Sequence, residues 1–354
     1  MKVTINTPLK KQKMDRLKFN KYLAELFKQS EHKAKRPFCL LCGQSVTSFC
    51  NSHIIPKFVI KNIAKDSMVA EAQQLVFSKS DYLSKNKGVN NAETIRIICN
   101  ECDNTLFQDY ENEEALKNKP TNRLMAEIAL KDSLLMLYKR RIEVELSEIL
   151  HIKNTLKGVE TTRKIHSLDI RDYSFSIRRS KKIIDNNLKS GFRLLYWESL
   201  PYKSPIAAQS PVVVYEDFSG ELINDHFNYS PDIRMQDLHI CIFPLKDTTS
   251  VFLFYHKDDR NYANFERRFL KLTHEEKQKY IVYLLFKYTE NFLISPEMID
   301  TIKNNEMLAE LANEGTDRSN LGIMTPFEFV TGIDKELVDW KDVPNLLSEE
   351  FRIK

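Results

Sequence analysis

Two Cys-x-x-Cys pairs constrain this chain more than any other feature of its sequence. The first is Cys39-Leu-Leu-Cys42, and the second, Cys99-Asn-Glu-Cys102, follows after 56 intervening residues. Two such pairs supply four thiolates, which is the ligand set of a structural tetrahedral zinc ion. The sequence therefore predicts Zn²⁺ at Cys39, Cys42, Cys99 and Cys102.

A second ligand set is compatible with the same spacing. Cys50-Asn-Ser-His53 lies between the two pairs and offers one thiolate and one imidazole, so it can form half of a site with either pair. A Cys50→Ser variant that keeps its zinc would exclude this alternative. The remaining cysteine, Cys241, lies in an apolar run and is typical of a small buried side chain.

The sequence also indicates the compartment. No run of about 18 apolar residues is present, and the first residues lead into a lysine-rich stretch instead of an apolar signal core. We therefore expect a cytoplasmic protein with no membrane partner. Thiols stay reduced in the cytosol, so metal binding explains the paired cysteines better than disulfides do.

Positive charge is concentrated at the start of the chain. Residues 1–36 contain eleven Lys or Arg and three Asp or Glu, a net charge of +8, whereas the whole chain carries +4. Apolar residues at helical spacing predict an amphipathic basic helix here, whose lysines either face solvent or contact a nucleic-acid backbone. With eight glycines and no Gly-rich phosphate loop, a P-loop nucleotide hydrolase has no support.

The pattern of apolar residues predicts an α+β protein with four parts. These are a basic helical arm (residues 1–36), a zinc-stapled module (37–118), a long connecting helix (119–155) and a larger α+β domain (156–354). In the last part, strand-like runs predict an antiparallel sheet covered by helices. The predicted strands cover residues 192–197, 211–215, 239–244 and 251–255, and the last two are joined closely enough for a hairpin.

Several local elements are predicted as well. Helical spacing covers residues 121–150, 262–272 and 274–292, and Thr273 with Glu276 forms a capping-box pattern at the start of the third. A helix from Glu101 to Glu111 would follow the second cysteine pair. The polar residues 79–91 are typical of a solvent-exposed excursion.

The stretch from Cys39 to Glu111 resembles the HNH (ββα-metal, treble-clef) endonucleases. That family has a Cys-x-x-Cys pair, a central Asp/Glu-His-x-x-Pro, and a second Cys-x-x-Cys pair followed by Asn or His. Here the central element is Ser52-His53-Ile54-Ile55-Pro56, and the second pair continues as Asp103-Asn104, with Phe107 and Tyr110-Glu111 beyond it. A bacterial subgroup with a Ser-His-Ile-Ile-Pro motif is the most similar.

The resemblance implies a catalytic site. His53 would be the general base, and a divalent ion, Mg²⁺ or Mn²⁺, would lie between the hairpin and the helix. The sequence has Ser52 where the family has a carboxylate and Thr94 where it has an asparagine. Oxygen ligands would then come from Asp103, Asn104 and Glu111, the last two sharing a helix face because they are seven residues apart.

Two functions follow from these expectations. The first is hydrolysis of DNA or RNA phosphodiesters by an HNH-like nuclease, with a family-level expectation of antiviral defence. The second is a zinc module without a catalytic metal, which binds nucleic acid or a protein partner within a larger complex. In the second, His53 caps the hairpin by hydrogen-bonding to the backbone.

Overall fold

The computed structural model describes residues 16–72, 83–152, 159–319 and 338–354. Part of the predicted basic arm, including Lys10, Lys11 and Lys13, lies outside the described residues. Ten α-helices are present in the described part: α1 (Arg16–Ala34), α2 (Lys57–Ile63), α3 (Asn100–Leu106), α4 (Glu113–Lys117), α5 (Asn122–Ile152), α6 (Val159–Asp185), α7 (Tyr262–Phe269), α8 (His274–Tyr288), α9 (Ile299–Lys303) and α10 (Glu306–Ser319). Short 3₁₀ helices cover Pro296–Met298 and Glu349–Phe351.

The strands form two antiparallel sheets. In chain order they are β1 (Ser52–His53), β2 (Met68–Ala72), β3 (Leu83–Gly88), β4 (Thr94–Ile95), β5 (Phe192–Leu200), β6 (Ile206–Val212), β7 (Leu238–Pro244), β8 (Thr249–His256) and β9 (Phe292–Ile294). A small sheet pairs β1 with β4, and a seven-stranded sheet has the order β3-β2-β9-β6-β7-β8-β5. The predicted mixture of helices with antiparallel sheet is thereby confirmed.

The large sheet separates two apolar cores, because successive side chains of a strand point to opposite faces. In β7, Ile240 and Ile242 belong to the core that α7, α8 and α10 cover. Cys241 and Phe243 point to the other core, which contains residues of α2 and α5 and three of the four paired cysteines. The cysteine-bearing segment is therefore packed against one face of the sheet.

Several predicted elements are confirmed. The strands β7 and β8 form an antiparallel hairpin in which Ile242 lies opposite Val251. Helix α8 begins with the capping box, since Thr273 accepts from the Glu276 backbone N–H and Glu276 reaches back to the Thr273 N–H. The long helix over residues 121–150 is α5.

Other elements differ from the sequence predictions or were not predicted. The strand expected over residues 211–215 is β6, which begins five residues earlier and ends at Val212. The 27-residue helix α6 has no counterpart in the sequence predictions. Within the excursion predicted for residues 79–91, the described part contains β3, which pairs with β2, while residues 79–82 lie outside the described residues.

Candidate metal centre

The four paired cysteines lie together in space. Their sulfur atoms all lie within 4.8 Å of one another, and the Sγ atoms of Cys42 and Cys99 are 3.9 Å apart. With Zn–S bonds of about 2.3 Å, tetrahedral geometry places sulfurs about 3.8 Å apart. Within the described residues this cluster can hold one zinc ion, and no other group of His, Cys, Asp or Glu there has a comparable arrangement.

Local structure places each pair. Cys39 and Cys42 lie on a tight turn that Gly43 closes with a φ of 74°, a conformation that glycine adopts without strain. Cys99 is the N-cap residue of α3, and Cys102 lies in its first turn. The Cys39 Sγ accepts from the backbone N–H groups of Leu41 (3.4 Å) and Cys99 (3.3 Å).

These amides favour the thiolate that a metal requires. Burial opposes ionisation of Cys39, but hydrogen bonds from the backbone N–H groups of Cys42, Cys99 and Leu41 outweigh it and lower the pKa of Cys39 to about 7. The backbone amides thus favour the thiolate at Cys39, whereas burial raises the pKa of Cys102.

The alternative ligand set is not assembled in this structure. Cys50 donates its thiol hydrogen to Asp103 Oδ2 at 3.2 Å, and His53 faces a backbone carbonyl. Burial, followed by the hydrogen bond to Asp103, raises the pKa of Cys50 to about 12. Both side chains are engaged away from the sulfur cluster.

His53 lies at the end of the two-stranded sheet, opposite Thr94. Its Nε2 lies 3.0 Å from the Val89 carbonyl oxygen, and because a carbonyl can only accept, Nε2 carries the hydrogen and Nδ1 keeps its lone pair. Burial lowers the pKa of His53, and the positive charges of Lys57 and Lys131 add to this effect. The imidazole is thus neutral near pH 7, which suits both a general base and a backbone cap.

A lysine fills the position that the family resemblance assigns to the divalent ion. Lys131, from the middle of α5, donates from Nζ to Ser52 Oγ (2.6 Å) and to Asp103 Oδ1 (2.9 Å). Its side chain is 0% exposed, and Nζ lies 4.2 Å from the centroid of the Phe107 ring. One cation therefore already neutralises the oxygens that converge between the hairpin and the helix.

Asp103 is bound on both oxygens. Ser52 Oγ donates to Asp103 Oδ1 at 2.7 Å, beside the bond from Lys131. Burial alone would raise the pKa of Asp103, but the charge and hydrogen bond of Lys131, with the bonds from Ser52 and Cys50, hold it below the usual value. The residues present do not fit a hard divalent ion here, because the lysine occupies the space and carries the same sign of charge.

The helix predicted from Glu101 to Glu111 ends at Leu106. The prediction that Asn104 and Glu111 share a helix face is therefore wrong. Asn104 is exposed on α3. Glu111 lies in the following turn, where its N–H donates to the Phe107 carbonyl at 3.1 Å. The chain leaves the helix here because Tyr110 donates its hydroxyl hydrogen to the Ile54 carbonyl and its N–H to Glu127.

Lys131 is the site residue that the sequence predictions missed. The available signal was a lysine beside an aspartate inside an otherwise apolar helix segment, Ala129-Leu130-Lys131-Asp132. Both charged side chains are fully buried, and Asp132 accepts from His239 and Gln209 of the sheet. Buried charges of this kind are rare unless they are paired.

Comparisons with protein-family models, with curated proteins and with solved structures found no match. Among the described helices, none has the length and apolar character needed to cross a membrane.

Proposed function

We propose that this chain is a nucleic-acid-binding protein in which a zinc-stapled, treble-clef module of the HNH type serves for recognition instead of hydrolysis. The observation that carries the proposal is Lys131 Nζ, held between Ser52 and Asp103. In this proposal the module keeps the framework that the resemblance to the HNH family implies, but a lysine supplies the positive charge between hairpin and helix. A fully buried ammonium cannot contact a scissile phosphate.

Nucleic acid is the favoured partner because basic residues are concentrated in the arm that precedes the module. The net charge of +8 over residues 1–36 contrasts with a net charge of −4 over the rest of the chain, since the whole chain carries +4. Contacts between such cations and phosphates release counterions, so affinity depends steeply on salt. A protein partner in a larger complex is the other possible use of a recognition module.

The experiment is a binding titration of the full chain with fluorescent DNA and RNA over a range of salt concentrations. We expect salt-dependent binding, one zinc ion per chain, and no cleavage product with Mg²⁺ or Mn²⁺. Absence of binding to every nucleic acid would overturn the proposal. A matched measurement after mixing with a cell extract tests for a protein partner.

The second candidate is phosphodiester hydrolysis with His53 as the general base and a role in antiviral defence. The hydrogen bond from Nε2 to Val89 favours it, because it leaves Nδ1 free to take a proton from water. The lowered pKa of His53 keeps that nitrogen unprotonated at neutral pH.

We expect His53→Ala and the wild-type chain to be equally inactive on plasmid DNA and on RNA with either divalent ion. The measurement is gel analysis of products over several hours. Thermal unfolding of both proteins checks that the hairpin tolerates loss of the hydrogen bond between His53 and the Val89 carbonyl. Cleavage by the wild-type chain that drops about 100-fold or more in His53→Ala would replace the first candidate by the second.

A further inference from the structure

An exposed groove beside the first cysteine pair combines positive charge with aromatic rings. It runs between the end of α1, the chain entering the module, the end of β4 and the middle of α5. We name it the basic groove and define it by six lining residues: Lys35, Arg36, Phe38, Phe49, Arg96 and Arg141. Tyr138 also contributes to its wall.

The four cations of the basic groove lack carboxylate partners within the described ranges. Arg96 donates to the neutral side chain of Asn51 at 3.1 Å, and the carboxylate nearby, Glu31, accepts from the Tyr138 hydroxyl. Burial lowers the pKa of Arg141, and the positive charge of Arg36 lowers it further. Like charges held together in this way attract a multivalent anion.

Unlike Arg141, its two preceding neighbours in the sequence form ion pairs with carboxylates. Lys139 pairs with Glu290 at 2.8 Å, and Arg140 pairs with Asp169 at 2.8 Å and with Glu143. Of this basic cluster, Arg141 alone lines the groove without such a partner. Arg141 therefore keeps its charge available on the groove wall, whereas Lys139 and Arg140 are neutralised by carboxylates.

The aromatic rings are held by the framework of the zinc module. Phe38 is 37% exposed, and its backbone pairs with Ser45 across the turn that carries the first cysteine pair. The adjoining Leu40 N–H donates to the Ile97 carbonyl at 3.0 Å, which ties this turn to the strand end bearing Arg96. An exposed ring beside cations that have no carboxylate partner suits an unpaired base next to its phosphate.

We propose that the basic groove binds a single-stranded segment of nucleic acid, with phosphates on Arg36 and Arg141 and a base stacked on Phe38. This rests on the proposed nucleic-acid binding and names its site and strandedness. A duplex offers the same phosphates, but its bases are stacked on one another and cannot stack on Phe38. We therefore expect single strands to bind more tightly than the matching duplex.

The test measures fluorescence anisotropy of labelled single-stranded oligonucleotides with the full chain. The double variant Arg36→Gln/Arg141→Gln should lower affinity about ten-fold or more at low salt and reduce the salt slope by about 1.4, from roughly 0.7 per phosphate contact. The control is Arg178→Gln/Arg260→Gln, which removes the same charge from exposed arginines outside the groove and should bind like wild type. Zinc content and thermal midpoint must match in all variants.

The ring is tested separately by Phe38→Leu, which keeps an apolar side chain but removes the stacking face. We expect about ten-fold weaker binding of single strands and unchanged binding of duplex. An equal loss of affinity in the groove double variant and in the control double variant would overturn the proposed binding site but not the proposed function. Tighter binding of duplex than of single strands would have the same consequence. Failure of the wild-type chain to bind any nucleic acid would instead overturn the proposed function.

Discussion

Lys131→Met is expected to lower the free energy of unfolding by about 3–5 kcal/mol, because removing one partner of a buried ion pair leaves the other charge uncompensated. Methionine keeps most of the linear side chain that packs on Phe107, so the loss comes from the ammonium. Asp103 would then keep only the donors Ser52 and Cys50, with 17% of its side chain exposed to water. Urea unfolding of wild type and variant measures the change.

The matched control is the double variant Lys131→Met/Asp103→Asn. Once both charges are gone, no buried ion lacks a counterion, and we expect the double variant to be clearly more stable than Lys131→Met alone. The single variant Asp103→Asn completes the cycle and should also be destabilised, because it leaves Lys131 unpaired. If the two single losses simply add in the double variant, the pair is not coupled and the account of Lys131 is wrong.

The position of Lys131 also explains how far the sequence could predict this site. The cysteine spacing and the order of Ser52, His53 and Asp103 are local signals, and the structure brings these residues together. Lys131 reaches the same point from α5, 28 residues beyond Asp103. Only the packing of α5 across the module creates that contact, and helical periodicity gives no register between separate elements.

The wrong boundaries in the fold have similar causes. Strand β6 contains Ala207, Ala208, Gln209 and Ser210, which have weak strand propensity, yet it is buried because β7 and β9 flank it. Helix α6 is rich in charged residues, and its contact with α5 defines its buried side. By contrast, β7 and β8 consist of dense apolar runs, and this local pattern was sufficient to predict both strands.

The shortened helix α3 follows the same logic. Residues 101–111 contain no proline or glycine, so the sequence gives no stop signal. The helix ends because Tyr110 is drawn to Ile54 and Glu127, two partners distant in sequence. Tertiary contacts therefore decide where Glu111 lies, and the same contacts close the pocket around Lys131.

Cys99→Ser is expected to abolish zinc binding and to unfold the module around the four cysteines. Structural zinc contributes about 10–16 kcal/mol of apparent binding free energy in small zinc domains, which is as large as a typical domain's whole stability. Cys99 also caps α3 by accepting from the Cys102 N–H at 3.4 Å, and because serine can accept the same hydrogen bond, the expected loss comes from the missing thiolate ligand. Elemental analysis of the purified chain and hydrogen exchange over residues 37–118 measure the two effects.

Cys50→Ser is the matched control for this experiment, since it makes the same atomic change at a cysteine outside the cluster. Cys50 Sγ faces Asp103, and serine can make the same hydrogen bond. We expect one zinc ion per chain and protection from exchange close to wild type. Loss of zinc in Cys50→Ser together with its retention in Cys99→Ser would assign the metal to the alternative ligand set with Cys50 and His53. Cys50 would then not be the hydrogen-bond donor to Asp103 that the Lys131 site requires.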